Sequence, residues 1–411
     1  MRLHFLLALP TLLSVAHACG GHVYATTSTS YTRRSTPGSL GKTVIEDVRV
    51  FNGLRMSAPR TVVIDQELIS DSGDTEGATQ TISGTGLFLI PGLIDSHVHV
   101  ADFPNFSGHE NLTSYGISTA MHMACHNYTI CAMHKGVPGL TNILTAGVPA
   151  VGPGSAHSKT FPSQLVYPNS NPVELVDWTL GNGSDYYKIT AEPNGPTQEL
   201  QNAIVANLQT RGKQSMTHAS TMLGYYQALA SKTNGIQHIP DNGRLTKAMI
   251  QQILAQGQYV TPTMTIFYEA HVENPAVLQF LRGSTDPGNS TYMDVIKNVK
   301  ALHAAGVPLL AGTDAVGALT PNVTIPFGLT LHQELQHLVY EVGMSAAEAL
   351  NSATRVAAKY HGLEDRGVVK KGKRADLLLL RNDPLFDIAN TLNIEKFWIG
   401  GREYTGPLKI A

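Results

Sequence analysis

Hydrophobic and polar residues alternate in two different ways along the chain. One pattern occurs near both ends and the other in the middle, so most of the chain divides into three parts. Over residues 42–90, short stretches such as 44–50 and 61–64 alternate between apolar and polar positions and are separated by glycine-rich turns. This pattern is typical of antiparallel β-strands. From residue 91 onwards, strand-like runs alternate with helical patterns, which indicates a parallel sheet, and the β pattern returns after residue 360.

The middle part of the chain repeats one strand–helix unit. We find eight strand-like runs there, and they end near His99, Met123, Ala146, Thr190, His218, Ile239, Met264 and Asp314. Helical patterns occur at 197–211, 221–231, 245–256, 294–305, 330–342 and 345–360. This alternation predicts an α/β fold with a (β/α)8 TIM barrel at residues 91–360. The two terminal segments, 43–90 and 361–411, are expected to pair as one small β-sandwich beside the barrel.

The first residues have the pattern of a secretory signal peptide. Arg2 precedes an apolar run at 3–16, and Ala16-His17-Ala18 forms a small-x-small cleavage site. We therefore predict a signal peptide at 1–18 and a secreted, extracellular protein; the alternative is an uncleaved anchor, which the short run disfavours. Residues 19–42 are rich in Thr, Ser and Gly and are expected to form a flexible lead-in. Glycosylation sequons agree with secretion and occur at Asn105, Asn111, Asn127, Asn182, Asn289 and Asn322.

Composition narrows the classes of function. The chain has 411 residues, of which 42% are hydrophobic and 15% charged, so it can bury a large core. Its net charge of −2 gives no reason to expect a nucleic-acid or membrane partner. Cys125 and Cys131 are close enough in sequence for a local disulfide; the alternative is two buried free thiols, with Cys19 left over in either case. No C-x-x-C pair occurs, which argues against zinc binding by thiolates.

The candidate chemistry begins in residues 91–99, Pro-Gly-Leu-Ile-Asp-Ser-His-Val-His. Side chains two positions apart in a strand point to the same face, so His97 and His99 aim at one point, as ligands of a transition metal do. The alternative is a strand whose two histidines face water. Further polar residues stand where later strands end, namely Lys188, His218, His238 and Asp314. Because the C-terminal ends of barrel strands form the active face, we expect these six residues to converge.

The order of these six residues, together with motifs near the C-terminus, resembles the metal-dependent amidohydrolase superfamily. The matching motifs are Glu334-Leu335, Gly343-Met344-Ser345, Glu348-Ala349-Leu350, Ala353-Thr354 and Gly372-Lys373-Arg374-Ala375-Asp376-Leu377. Within the superfamily, the chain looks most like the imidazolonepropionase-like and prolidase-like amidases, the group that includes the ochratoxin-hydrolysing amidase. Two departures lie where such enzymes read their substrate: His122 stands where an acidic residue is frequent, and Ser155-Ala156-His157 where Gly-Gly-His is usual. The family's substrates therefore do not transfer to this chain.

The resemblance implies a site for two divalent metal ions, with zinc expected, although manganese and cobalt suit the same ligands. His97, His99 and Asp314 would hold one ion, and His218 and His238 the other. Lys188 would carry a carbamate, formed with CO2, that bridges the two ions. A water between the ions would attack a carbonyl carbon, and Asp314 would take its proton and pass it to the leaving nitrogen.

The function implied is a secreted metal-dependent amidohydrolase that cleaves an amide or another C–N bond of a small molecule. Peptide-like compounds, N-acyl amino acids and small amide natural products all fit. His157 and His122 are candidate substrate contacts, and for His122 a role in the core or behind the ligands is the alternative. A lactonase or esterase, or an isomerase or decarboxylase, could use the same site, whereas a non-catalytic relative would be expected to lose ligands. A homo-oligomer is compatible with each of these functions.

Overall fold

The computed structural model describes residues 36–100, 107–162, 164–278, 285–320 and 323–408. Its fold is mixed α/β, as predicted. The strands are β1 (Lys42–Val50), β2 (Arg60–Asp65), β3 (Leu68–Ile69), β4 (Gln80–Ser83), β5 (Phe88–Pro91), β6 (Leu93–Val98), β7 (Ile117–His122), β8 (Asn142–Thr145), β9 (Tyr187–Thr190), β10 (Ser215–His218), β11 (Gly235–Gln237), β12 (Tyr259–Thr261), β13 (Gly317–Thr320), β14 (Val323–Ile325), β15 (Leu377–Leu380), β16 (Ile394–Ile399) and β17 (Arg402–Glu403).

Helices follow most of the strands in the middle of the chain. They are α1 (Ser107–Ser114), α2 (Tyr128–His134), α3 (Pro172–Gly181), α4 (Gln198–Thr210), α5 (Met222–Ser231), α6 (Lys247–Ala255), α7 (Met264–Tyr268), α8 (Tyr292–Ala304), α9 (Leu329–Gln336), α10 (Ala346–Ser352) and α11 (Arg355–Tyr360). π-helical turns at Glu269–Glu273 and His337–Val342 extend α7 and α9. The helices predicted at 197–211, 221–231, 245–256 and 294–305 are confirmed as α4, α5, α6 and α8.

Threonine caps explain where these four helices begin. The hydroxyls of Thr197, Thr221, Thr246 and Thr291 each accept a hydrogen bond from the backbone N–H three residues further on. Such a cap satisfies one of the N–H groups that the first turn of a helix leaves unpaired. Each helix therefore starts at a defined residue, which limits the length of the loop before it.

The helix predicted at 345–360 is interrupted, and the structure divides it between α10 and α11. Carbonyl groups at the break bond to neighbouring strands instead of continuing the helix. The oxygen of Ala353 accepts from the N–H of Ile94 at 2.7 Å, and that of Ser352 accepts from the N–H of Ala311 at 3.1 Å. Contacts that are distant in sequence therefore override the helical periodicity at this position.

The two terminal β segments form one eight-stranded sheet, in the order β17-β16-β15-β5-β1-β2-β3 with β4 beside β1. Strand β15 runs antiparallel to β5, and Leu377 lies opposite Pro91, where the chain is about to enter β6. Pro37 bridges Tyr404, so the described end of the predicted lead-in at 19–42 also contacts this sheet. The two terminal segments thus pair with each other, while the two-layered β-sandwich stays a prediction.

Parallel strands hold the part of the chain in which the candidate ligands lie. Strands β6, β7 and β8 form one parallel sheet, and β9, β10, β11 and β12 form another. Single bridges continue the pairing, between Ala150 and Ile189, between Val260 and Leu309, and between Ala315 and Val98. Since the strands share one direction, their C-terminal ends lie at one edge.

Some predicted features fall outside the described residues. They are the signal peptide at 1–18, the lead-in before residue 36, and the sequons at Asn105 and Asn322. In the part of the chain that the structure covers, no helix has both the length and the apolar character needed to cross a membrane.

Candidate metal centre

Two histidines at the end of β6 point to the same carboxylate. The Nε2 atoms of His97 and His99 lie 3.2 Å and 3.0 Å from Oδ1 of Asp314. All three residues are buried, and their donor atoms lie within 4.8 Å of one another. Imidazole nitrogens and a carboxylate are ligands that zinc prefers, so this group could bind a metal ion.

Lys188, His218 and His238 extend this group into a continuous cluster. The Nζ atom of Lys188, on β9, lies 3.3 Å from Nε2 of His97. The rings of His97 and His238 have centroids 4.7 Å apart, and those of His238 and His218 are 4.4 Å apart. The structure therefore brings all six predicted ligands together at the C-terminal ends of the parallel strands.

Two of the six residues have a left-handed backbone. The φ angle is +74° at His238 and +57° at Asp314, and Thr263, which contacts His238, has a φ of +51°. Residues other than glycine rarely adopt this conformation, which costs on the order of 1–3 kcal/mol. It persists only where the surrounding structure enforces it, and here it aims side chains at one point.

A glutamine and a threonine orient the imidazoles from behind. The Oε1 atom of Gln237 can only accept a hydrogen bond and lies 2.9 Å from Nδ1 of His97. With the Gln237 amide in this orientation, the His97 proton sits on Nδ1, which leaves the Nε2 lone pair for a metal. Nδ1 of His238 lies 2.8 Å from the hydroxyl of Thr263, which can donate or accept a hydrogen bond and so holds the ring in either tautomer. Partners of this kind hold metal-binding histidines in position.

Asp95 connects β6 to the loop that carries Asp314. Its Oδ1 accepts from the backbone N–H groups of His97 and Thr313, at 3.1 Å and 3.2 Å, and its Oδ2 accepts from the Thr313 hydroxyl at 2.9 Å. Burial raises the pKa of the Asp95 carboxyl to about 8. Asp95 is not among the residues predicted from the sequence; its signal is a carboxylate within the apolar strand that ends at the two histidines.

Burial sets the protonation states of the cluster. It lowers the pKa of His97 to about 3 and holds those of His218 and His238 well below their ordinary value. Burial opposes ionisation of Asp314, but contacts with His97 and His99 outweigh it and keep the Asp314 pKa well below its ordinary value. Neutral imidazoles around an anionic carboxylate form a suitable ligand set for a divalent cation.

One nitrogen in the cluster supports this fit directly. Among the described residues, Nδ1 of His218 is buried without a hydrogen-bond partner. A buried polar atom without a partner is costly and calls for an explanation such as an ion. The residues present therefore fit a metal.

Of the two predicted substrate contacts, the structure brings His157 to the cluster, with its ring centroid 4.5 Å from that of His218. Glu192 holds it there, because Oε1 lies 2.9 Å from Nδ1 of His157 and accepts from its backbone N–H at 3.1 Å. Burial acts to raise the pKa of Glu192, but His157 more than offsets this and the pKa is lowered. Glu192 is not among the residues predicted from the sequence, and its only signal is its place two residues after β9.

The other predicted contact, His122, is fully buried, and its ring centroid lies 6.2 Å from that of His99. Contact between His122 and a substrate therefore stays a prediction, with the alternative of a role behind the ligands. The structure does not place it among the six predicted ligands.

The remaining predicted residues concern covalent modification. Asn127, Asn182 and Asn289 are exposed, and Asn111 is half-buried within α1. Glycosylation of these residues stays a prediction. The structure joins Cys125 and Cys131 in a disulfide, with Cα atoms 6.3 Å apart.

The model of the amidohydrolase family matches residues 88–404, a range that includes all six predicted ligands. The chain therefore belongs to the amidohydrolase family, and the resemblance stated from its motifs is confirmed. An adenine deaminase from Gluconobacter oxydans (strain 621H) is 23% identical over 355 residues, which cover 82% of this chain and 55% of that protein. The chain thus spans about half the length of the curated relatives it matches.

Solved structures of similar fold include a dipeptidase and an ochratoxinase. A Xaa-Pro dipeptidase with methionine bound in its active site has a TM-score of 0.74 at 22% identity, covering 89% of this chain and 100% of that chain. The A. niger ochratoxinase has a TM-score of 0.72 at 17% identity, covering 90% of this chain and 96% of that chain. At these identities the similarity shows the fold alone.

We expect Gln237→Leu to weaken metal binding. Leucine is of similar size but cannot accept the hydrogen bond from Nδ1 of His97, so the imidazole loses its fixed orientation. Loss of such a partner typically lowers metal affinity about 10–100-fold. Competition for zinc with a chromophoric chelator would measure the change.

Gln258→Leu is the matched control, because Gln258 is equally buried but bonds to the backbone oxygen of Thr233. Equal zinc affinities for the two variants would contradict the role of Gln237.

Proposed function

We propose that the parallel strands close into a (β/α)8 barrel and that the terminal sheet folds as a β-sandwich beside it. Isolated parallel β-bridges support closure. One joins the segment after β8 to β9, and two others join the segment at 309–315 to β12 and to β6. Apolar side chains from strands on all sides also pack in one cluster, as in a barrel interior; they include Ile94, Met121, Met216, Tyr259 and Leu310. The terminal sheet has a separate hydrophobic core that includes Val48, Leu89 and Trp398.

We propose that this barrel is a metal-dependent hydrolase of amide or other C–N bonds. The observation that carries the proposal is the convergence of six donor residues at the ends of the parallel strands. His97, His99 and Asp314 would hold one divalent ion, His218 and His238 the other, and Lys188 would bridge them as a carbamate, with zinc as the expected metal. Such ions, when bound, lower the pKa of a water and polarise a carbonyl group.

The protein's own side chains would divide the remaining tasks. The imidazoles of His97 and His99 both approach Oδ1 of Asp314, which leaves Oδ2 of that carboxylate as a proton acceptor. Asp314 would take the proton of the attacking water and return it to the leaving nitrogen. His157, held by Glu192 beside His218, would contact the substrate and orient its carbonyl group.

The proposed substrates are peptides with a C-terminal residue to remove, N-acyl amino acids and small amide natural products. The similarity to a Xaa-Pro dipeptidase and to ochratoxinase over nearly the full length of those chains supports this class. A second candidate is deamination of an aminopurine, because the curated relatives are adenine deaminases. We also propose that the protein is secreted, on the pattern of residues 1–18.

A substrate panel distinguishes these activities. Purified protein would be incubated with dipeptides, N-acyl amino acids, adenine and lactones, and the products identified by mass spectrometry. Release of an amine and a carboxylate from an amide would support the proposal. Exclusive conversion of adenine to hypoxanthine and ammonia, or exclusive opening of lactones, would replace it with the corresponding alternative.

Metal content provides a prediction that is independent of the substrate. If all six residues are ligands, purified active protein should contain about two divalent ions per chain. His97→Ala and His218→Ala should each lower this number, because each removes an imidazole donor. Elemental analysis measures it, and His303→Ala is the control, since His303 contacts Glu348 rather than the cluster. Full activity in protein that contains no metal would refute the site.

A further inference from the structure

A second group of potential donor atoms lies where β7 leads into α2. A ring nitrogen of His122 and the sulfurs of Cys125 and Cys131 lie within 4.8 Å of one another. All three side chains are buried, with exposures of 0%, 0% and 2%. Neither cysteine belongs to the cluster of six, so this group is a separate site.

The two ring nitrogens of His122 have different surroundings. Among the described residues, its Nε2 is buried and has no hydrogen-bond partner. Its Nδ1 lies 3.3 Å from the oxygen of Val98 and 3.2 Å from the N–H of Val100. Nδ1 accepts from the N–H of Val100 when it is unprotonated and donates to the oxygen of Val98 when it is protonated. A metal would select the second tautomer, in which the Nε2 lone pair is available. The cost of leaving Nε2 without a partner would disappear once an ion bound it.

The sequence around these residues is symmetrical. His122 precedes Cys125 by three positions, and Cys131 precedes His134 by three, which gives H-x2-C-x5-C-x2-H. Cys131 lies on α2, and Asn127 caps this helix by accepting a hydrogen bond from the N–H of Thr129. The cap fixes the start of α2 three residues after Cys125, which limits how far the two sulfurs can separate once the disulfide is reduced.

We propose that His122, Cys125 and Cys131 form a binding site for a thiophilic divalent ion, zinc or a similar metal, when the disulfide is reduced. The disulfide and the metal site are then two alternative states of one cysteine pair. A Cys2His set with one open position is an established zinc coordination type. The chain has no C-x-x-C pair, which argues against zinc binding by thiolates; this site departs from that expectation because a C-x5-C pair brings the two sulfurs together instead. A Cα separation of 6.3 Å suits a disulfide, and two side chains of this length can also place their sulfurs on one ion.

The chemistry balances with a thiol as the reductant. Two molecules of a small thiol reduce the disulfide, giving two cysteine thiols and one molecule of the oxidised, disulfide-linked reductant. The divalent ion then displaces two protons, one from each cysteine, and takes the neutral nitrogen of His122 as its third donor. In the reverse direction, exchange with the disulfide of a small thiol joins the two cysteine sulfurs again, gives two molecules of the small thiol after the uptake of two protons, and releases the ion.

Cobalt(II) is a probe that separates this site from the proposed hydrolytic centre. Cobalt bound by thiolates has a strong near-ultraviolet sulfur-to-metal band, whereas histidine and carboxylate ligands give none. The experiment uses the full-length Cys19→Ser protein, because Cys19 would add a third sulfur. The protein is reduced with tris(2-carboxyethyl)phosphine, its thiols are counted, its fold is checked by circular dichroism, and cobalt is added.

We expect two thiols per chain after reduction and a sulfur-to-cobalt band, with no such band in the unreduced protein. Cys131→Ser should lose the band, and His122→Gln should weaken cobalt binding while both thiols remain countable. Ser155→Ala, which leaves every sulfur and His122 in place, should keep the band. A folded protein with two free thiols and no band overturns the proposal. A disulfide that can be reduced only by unfolding the chain overturns it as well.

Discussion

Lys188→Ala is expected to lose at least about 100-fold in kcat/KM. Even partners behind metal ligands typically cost 10–100-fold when removed, and Lys188 is proposed as a ligand itself. Its side chain is 2% exposed, and its Nζ lies 3.3 Å from Nε2 of His97. If Lys188 were only a solvent-exposed lysine, its replacement by alanine would change kcat/KM little. Steady-state rates on the amide identified in the substrate panel would measure the loss.

Chemical rescue separates a carbamate from a simple structural lysine. Alanine leaves a gap where the carbamate oxygens would lie, so formate, acetate or bicarbonate should restore part of the activity of Lys188→Ala. Lys213→Ala is the matched control, because Lys213 is exposed just before β10, and it should show neither the loss nor the rescue. A wild-type rate in Lys188→Ala would refute the bridging role, and a loss without rescue would favour a structural one.

The candidate ligands could be predicted from the sequence because each stands at a recognisable place, the end of a strand-like run. His97 and His99 show the two-residue spacing of a strand, and His218 and His238 end or follow later runs. Once a parallel sheet is predicted, these residues must lie at one edge. Their convergence therefore needs no knowledge of loops or of side-chain contacts.

The residues that orient the ligands could not be predicted in this way. Gln237 acts through a contact with His97, 140 residues away in sequence, and Asp95 acts through Thr313, 218 residues away. A carboxylate within an apolar strand is a signal at Asp95, but it does not identify Thr313 as the partner, and nothing in the local pattern marks Gln237. Glu192 is similar, since its partner His157 lies in a loop whose path the sequence does not specify.

Backbone details were also beyond the pattern of residues. Asp314 follows Gly-Thr and could equally have been a turn residue or a helix cap, whereas the structure gives it a φ of +57°. The break between α10 and α11 depends on hydrogen bonds from Ile94 and Ala311 to the carbonyls at that point. Both features result from tertiary contacts that periodicity does not encode.

Asp314→Asn is expected to lower kcat by about 10²–10⁴-fold, the usual contribution of general acid–base catalysis, while most of the metal is kept. Both histidines approach Oδ1 of Asp314. An asparagine can present its single oxygen at that position, whereas its amide group replaces Oδ2 and cannot take a proton from water. The swap is nearly isosteric, so we expect the fold to be unchanged. Steady-state kinetics and elemental analysis of the same preparation would separate catalysis from metal binding.

Asp177→Asn controls for the chemistry of the substitution, because Asp177 is exposed and pairs only with Arg211 among the contacts described. Surface pairs of this kind contribute little to stability, so this variant should keep both its metal and its rate. If Asp314→Asn loses its metal together with its rate, Asp314 acts mainly as a ligand. If it keeps full metal and stays within a few-fold of the wild-type rate, it is not the base. The proton would then have to pass through another group near the centre, and His157 and His238 would be the next residues to replace.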